Sequence, residues 1–309
     1  MATTPSLPKR KINAEGHFFA TSLNNYWGYN FHMDRLEAFK SIAAQASRGE
    51  LTFPTNVDAT LKLQRALNDP DCHADVAARL VQAEPLLAAR TVAIANSVAY
   101  NRSGSEITNV RSAVQRVGFR TLNALAAAVI VRQLDSKITQ PALRAKADQL
   151  WKHSAHVAAL SQVIAKRVAR LDSETALFAG IVHEVGGFYL LSRAEEYPGL
   201  LDGEPDEWIE HGEQQIGRCV LQKLGVPAAV MSAIEDVWTG MRALPPETLG
   251  DTLLLANDLS PVGSPLHQRA GATSIQSAAT IDFVIGEGTL ASILAESAEE
   301  VQSLTAALL

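Results

Sequence analysis

Glu174-Thr175-Ala176-Leu177-Phe178-Ala179-Gly180-Ile181-Val182-His183-Glu184-Val185-Gly186-Gly187-Phe188-Tyr189-Leu190-Leu191 is the stretch that decides how this chain is read. Leu177, Ile181 and Val182 fall at helical spacing and carry His183 and Glu184 to the end of a buried element. Gly186 and Gly187 then predict a turn, because glycine enters turn conformations at little cost. An imidazole next to a carboxylate, placed where two helices meet in a core, can hold a metal or move a proton. The favoured alternative is a buried histidine that hydrogen-bonds a neighbouring carboxylate and does nothing more.

Outward from that stretch the same helical period recurs. Upstream, a long helix is expected over residues 141–170, carrying Trp151, His153 and His156 and then Val157, Leu160, Val163 and Ile164. Before it, an apolar helix over 121–134 follows a tight junction at Gly118-Phe119-Arg120. Shorter helices are expected over 33–46, 57–67, 75–82 and 86–96, with Pro85 suited to a first helical turn. Downstream, helices are expected over 206–224, 228–238, 252–259, 275–284 and 289–308. No alternating strand pattern appears, and the loops are too short for strand–helix–strand units. Aromatic residues are only 6% of a chain that is 47% hydrophobic. That balance favours helix over sheet. The expected class is therefore all-α, with an arm over 1–32, an N-terminal helical subdomain over 33–140 and a second helical subdomain over 141–309.

The totals exclude several roles. The formal net charge of −6 argues against a protein whose affinity comes from neutralising nucleic-acid phosphates. Cys72 and Cys219 have no metal-like or redox-like spacing, and a reducing cytoplasm is the simplest setting. The N-terminal residues carry positive charge without an apolar run behind it, so no secretory signal is read there. No stretch is read as a membrane span; the most apolar window, residues 124–131, lies between Arg120 and Arg132.

The candidate ligands in chain order are His153, His183, Glu184 and Asp258. Histidine nitrogen and carboxylate oxygen are donor types for zinc, iron or manganese. The order resembles the HD superfamily of metal-dependent phosphohydrolases. It is more similar to the HDOD family, the HD-related output domains of bacterial signalling. Phe53-Pro54, Glu84-Pro85-Leu86-Leu87, Ala95-Asn96-Ser97-Val98-Ala99-Tyr100, Ile107 with Ala113-Val114-Gln115-Arg116-Val117-Gly118, Trp151-Lys152-His153-Ser154, and Gly180-Ile181-Val182-His183-Glu184-Val185-Gly186 carry the resemblance over residues 50 to 260. It implies an HD-like helical bundle that has kept the fold and lost catalysis, and that works by binding a protein partner or a signalling nucleotide. The alternative it implies is a phosphohydrolase of nucleotides or cyclic dinucleotides.

Departures from the pattern favour the first. Glu184 stands where the superfamily has aspartate. Glu213 precedes Ile216-Gly217, and Val237-Trp238 follows Ala233-Ile234, where two-metal relatives carry histidines. The expectation is no cofactor, with a single divalent ion (iron, manganese or zinc) on His153, His183, Glu184 and Asp258 as the alternative. Asn96, Arg116 and Arg120 are candidates for a ligand or partner groove. Against that, Asn96 can simply end its helix and tie down a loop, and Arg111, Arg116, Arg120 and Arg132 can form a solvated face.

Overall fold

The computed structural model describes residues 34–51, 57–202, 207–240, 243–266 and 289–309. The expectations for the arm, for Phe53-Pro54 and for a helix over 275–284 fall outside those residues. Every regular element among the described residues is helical.

Helix α1 (Arg35–Ser47) starts where the Asp34 carboxylate accepts the Leu36 N–H. Helices α2 (Val57–Leu67), α3 (Ala74–Gln82) and α4 (Pro85–Asn96) follow, the last with proline in its first turn as expected. Helix α5 (Val110–Leu134) starts on the Asn109 side chain, which accepts the Ser112 N–H. The junction read at residue 118 is a kink inside this helix: Gly118 has φ 77° and ψ 168°, a conformation that L side chains rarely adopt. Beyond the kink, residues 124–131 are each at most 1% exposed, enclosed by α2, α3, α4 and a later helix, α7. A helix apolar on all sides needs that enclosure.

Helix α6 (Pro141–Ile164) runs on through a π-helical turn, Ala165–Ala169, and stops at Arg170, whose φ of 58° is left-handed. Helix α7 (Ser173–Val182) is capped by Asp172, which accepts the N–H groups of Glu174 and Thr175. Helix α8 (Val185–Arg193) begins after a break of only two residues, His183 and Glu184. The turn expected at Gly186-Gly187 is therefore displaced onto the polar pair, and both glycines lie inside α8. Their purpose is close packing. A Cβ on Gly186 would lie 2.8 Å from the Gly217 Cα, which is backbone and cannot swing away.

A π-helical segment, α9 (Trp208–Gly217), leads into α10 (Arg218–Lys223), and then come α11 (Ala228–Thr239) and α12 (Leu249–Leu259). Helix α12 starts three residues earlier than expected because Thr248 and Asp251 form a reciprocal capping box. The expected helix over 289–308 is two, α13 (Thr289–Glu296) and α14 (Ala298–Leu308), divided at Ser297, a buried residue with φ −100° and ψ 2°.

Helix α6 packs along α7, α12 and α14, and α7 also meets α5 and α11. One continuous apolar core runs from Phe39 and Ile42 in α1 to Leu304 and Leu308 in α14. The α6–α7 contact is tight at Gly180, where an added Cβ would fall 2.4 Å from the Ala158 Cα. Two stretches, Val110–Lys137 and Ser173–Arg193, pass a length-and-hydropathy test for membrane spans that the sequence reading assigned to none. Most of each window, 67% and 83%, is buried within this protein, so their apolar character is used in its own core.

Candidate functional site

The tight α6–α7 contact and the two-residue break before α8 bring three side chains together. His153 projects from the middle of α6, His183 closes α7, and Glu184 precedes α8. All three are buried, at 2%, 7% and 4% exposure, and one ligand atom from each lies within 4.8 Å of the others. The two imidazole rings have centroids 5.3 Å apart and Nε2 atoms 3.3 Å apart.

Each ring is fixed from behind. Nδ1 of His183 lies 2.8 Å from the Gly180 carbonyl oxygen, and Nδ1 of His153 lies 2.7 Å from that of Val262. A carbonyl oxygen only accepts, so each Nδ1 carries the proton and donates it. In its neutral form each ring then turns the lone pair of its Nε2 toward the other. Two such lone pairs at 3.3 Å repel unless one ring takes a second proton or both meet a cation. Two nitrogens that share one tetrahedral ion at about 2.0–2.1 Å would be separated by roughly 3.3 Å. Outward Nδ1–H groups held by carbonyls are also the supporting contacts that metal-binding histidines usually have. The residues therefore fit a single divalent ion held by His153, His183 and Glu184.

The fourth candidate, Asp258, lies half-buried in the last turn of α12 and does not join this mutual grouping. What the sequence did not reveal is the roof. Ser260 Oγ donates to the Val262 carbonyl, steadying the loop after α12 against His153. Leu266 from that loop and Leu150 from α6 pack near Gly187 beside the Glu184 carboxylate; a Cβ on Gly187 would meet all three. The Gly180 contact was legible as a three-residue spacing to His183, whereas the Val262 contact spans 109 positions and leaves no local pattern.

The groove candidates lie elsewhere and are engaged with their own chain. Asn96 donates from Nδ2 to the Ile107 carbonyl at 2.7 Å and accepts the Ile107 N–H at 2.8 Å, which ties the loop after α4. Arg116 donates to the carbonyls of Ala95 and Ser105. Arg120 pairs with Asp172, and Arg111 pairs with Asp75 at 2.8 Å. Arg132 reaches Asp135 at 2.8 Å and stacks on Trp151.

Against known proteins, the family model of the HDOD domain matches residues 53–238. No curated protein matches the chain in sequence. Among solved structures, a candidate metal-dependent phosphohydrolase from Shewanella amazonensis SB2B is similar with a TM-score of 0.68 at 22% identity, over 89% of this chain and 99% of its own. An HDOD domain protein of unknown function from Geobacter sulfurreducens gives 0.56 at 21% identity, over 88% and 98%. A candidate signal transduction protein from Marinobacter aquaeolei VT8 gives 0.58 at 18% identity, over 89% and 66%. At such identities the likeness establishes the fold.

Proposed function

Because the chain belongs to the HDOD domain family, we propose that it is a regulatory module of signal transduction that acts by binding a protein partner or a small signalling ligand, and that it does not turn over a substrate. The supporting observation is the closure of the His153–His183–Glu184 cluster. None of the three side chains exceeds 7% exposure, and a carbonyl covers the far edge of each ring. A phosphoester of nucleotide size needs open coordination positions and room beside them. The cluster instead links α6, α7 and α8 at one point, as a structural cross-link would. The setting in this reading is the cytoplasm, where the two free cysteines stay reduced.

The Nε2 spacing of 3.3 Å favours a second reading, metal-dependent phosphohydrolysis. In that case His153, His183 and Glu184 would hold the ion, with Asp258 the fourth ligand that the sequence offers. A divalent ion would supply a Lewis acid and a water of lowered pKa. The chain's own part would be to fix both imidazole tautomers through Val262 and Gly180 and to exclude bulk water with Leu150 and Leu266.

The two readings separate in one preparation. Protein purified without chelator is assayed for iron, manganese and zinc by mass spectrometry, and for hydrolysis of bis-p-nitrophenyl phosphate and cyclic dinucleotides. The expected result is no turnover above buffer, whatever the metal content. Turnover that follows the metal and disappears in His183→Ala would overturn the binding reading.

A further inference from the structure

A cavity of ≈ 390 Å³ lies away from the histidine cluster, between α2, α5 and α7 and the segment around α10 and α11. Its wall at α2 is Leu61, Gln64 and Arg65, with Asn68 just past the helix end, at the i, i+3, i+4, i+7 spacing of one helix stripe. That stripe normally carries the apolar residues of an amphipathic helix. Here three of the four are polar: Gln64 is buried, while Arg65 and Asn68 are exposed.

Three features describe what would fill it. The apolar surface is Leu61, Phe178, Leu224 and Val230. Cations come from three elements: Arg65 in the last turn of α2, Arg120 just past the α5 kink, and Lys223 in the last turn of α10. Arg120 is matched by Asp172, while Arg65 and Lys223 have no ion-pair partner among the described residues. The amide acceptors are the third feature. Asn123 Nδ2 donates to Asn68 Oδ1 at 3.2 Å, which fixes its orientation, and Asn123 Oδ1 is left without a hydrogen bond. Gln64 is only 9% exposed, and its Oε1 is likewise unsatisfied. Native structures rarely leave buried polar atoms unmatched. Glu174, whose carboxyl burial pushes up with Asp172 adding to the shift, completes the lining and offsets one cation.

An aromatic heterocycle with N–H donors, joined to a phosphate, combines these requirements. We propose that the cavity binds a nucleoside phosphate, its base against Phe178 and the amides of Gln64 and Asn123, its phosphate toward Arg65 and Lys223. This rests on the regulatory reading above and gives it a site: the ligand would join α2 and α5 to α7 and α11.

The test is calorimetric titration of the full chain with AMP and GMP, with adenosine, guanosine and inorganic phosphate as comparators. At least one nucleotide binds saturably, and its nucleoside and free phosphate each bind about tenfold more weakly or worse. Arg65→Ala and Lys223→Ala each weaken binding about tenfold, and Val230→Trp, which fills the cavity, abolishes it. All three are first shown to melt as the unaltered protein does. Absence of binding by both nucleotides, equal binding of the nucleoside, or unchanged binding in folded Val230→Trp protein would each overturn the proposal. The recovered nucleotide is also checked for hydrolysis. Hydrolysis that persists in Val230→Trp and is lost in His183→Ala would sink the non-catalytic reading instead, leaving the cavity to be judged by the binding data.

Discussion

Replacing Gly180 with alanine tests the packing that assembles the histidine cluster. The new Cβ would lie 2.4 Å from the Ala158 Cα and 2.7 Å from the Ala158 nitrogen, both backbone atoms of α6. No rotamer change relieves this contact, so α6 and α7 must separate by about 1 Å to reach ordinary van der Waals distance. Overpacking of this kind costs about 1–3 kcal/mol, and a backbone clash belongs at the upper end. Alanine recovers about 1 kcal/mol through its better helix propensity. The net loss is about 2 kcal/mol, or about 4–8 °C in Tm for a domain of this size. Thermal melts followed by circular dichroism measure it. The same separation would pull His153 on α6 from His183 at the end of α7, widening their 3.3 Å approach, so any bound metal should be held more weakly in the variant. An unchanged or raised Tm would refute the argument, because it would mean that this glycine does not set the helix spacing.

Two further outcomes follow from polar groups in the fold. Burial works to raise the Asp251 carboxyl, but the N–H groups of Ala243, Thr248 and Glu247 and the Thr248 hydroxyl outweigh it and hold its pKa below the usual value. The stability it contributes is therefore present above its unfolded pKa and lost as pH falls through the folded one. Denaturant melts between pH 6 and 3 should show Asp251→Asn less stable by about 1–2 kcal/mol at the upper end, with the gap narrowing toward the lower. Arg90 is buried on Trp151 and donates to the Leu308 carbonyl; burial, with Arg132 nearby, pushes its pKa down to about 10. Arg90→Met should cost about 1–3 kcal/mol and raise amide exchange in α14 more than in α7; equal protection in both helices would count against the anchor.

The helical class was legible because most of the chain is amphipathic at one period and punctuated by residues with a single local meaning. Pro85 starts a helix where sequence placed a boundary, and Asn109 and Asp172, residue types that favour caps, start two more. The Gly186-Gly187 turn was misplaced because glycine has two uses, left-handed backbone and close approach, and a one-dimensional pattern cannot separate them. Here the second prevails: Gly186 meets Gly217 across a helix contact. Of the candidate site, the three residues that cluster lie at the end of α7 and on the facing turn of α6, where a helical period can place them. Asp258, on α12, depends on how that helix is set down. The α2 wall of the cavity was hidden for a simpler reason: Gln64 reads as part of the same solvated face as Arg65 and Asn68, which stay exposed, until the fold buries it alone.

The two imidazoles are anchored unequally. His183 leans on a carbonyl of its own helix, three residues back, and keeps that bond while α7 lasts. His153 leans on Val262, in a loop that also receives the Gln149 bond at the Gly263 carbonyl. Lifting the loop would free the His153 ring to exchange tautomers while leaving its neighbour in place. Nitrogen-15 resonances of the two rings would then diverge, His153 moving and His183 standing still. The protein thus carries, in its own core, an internal reference and a gauge for the position of the segment that follows α12.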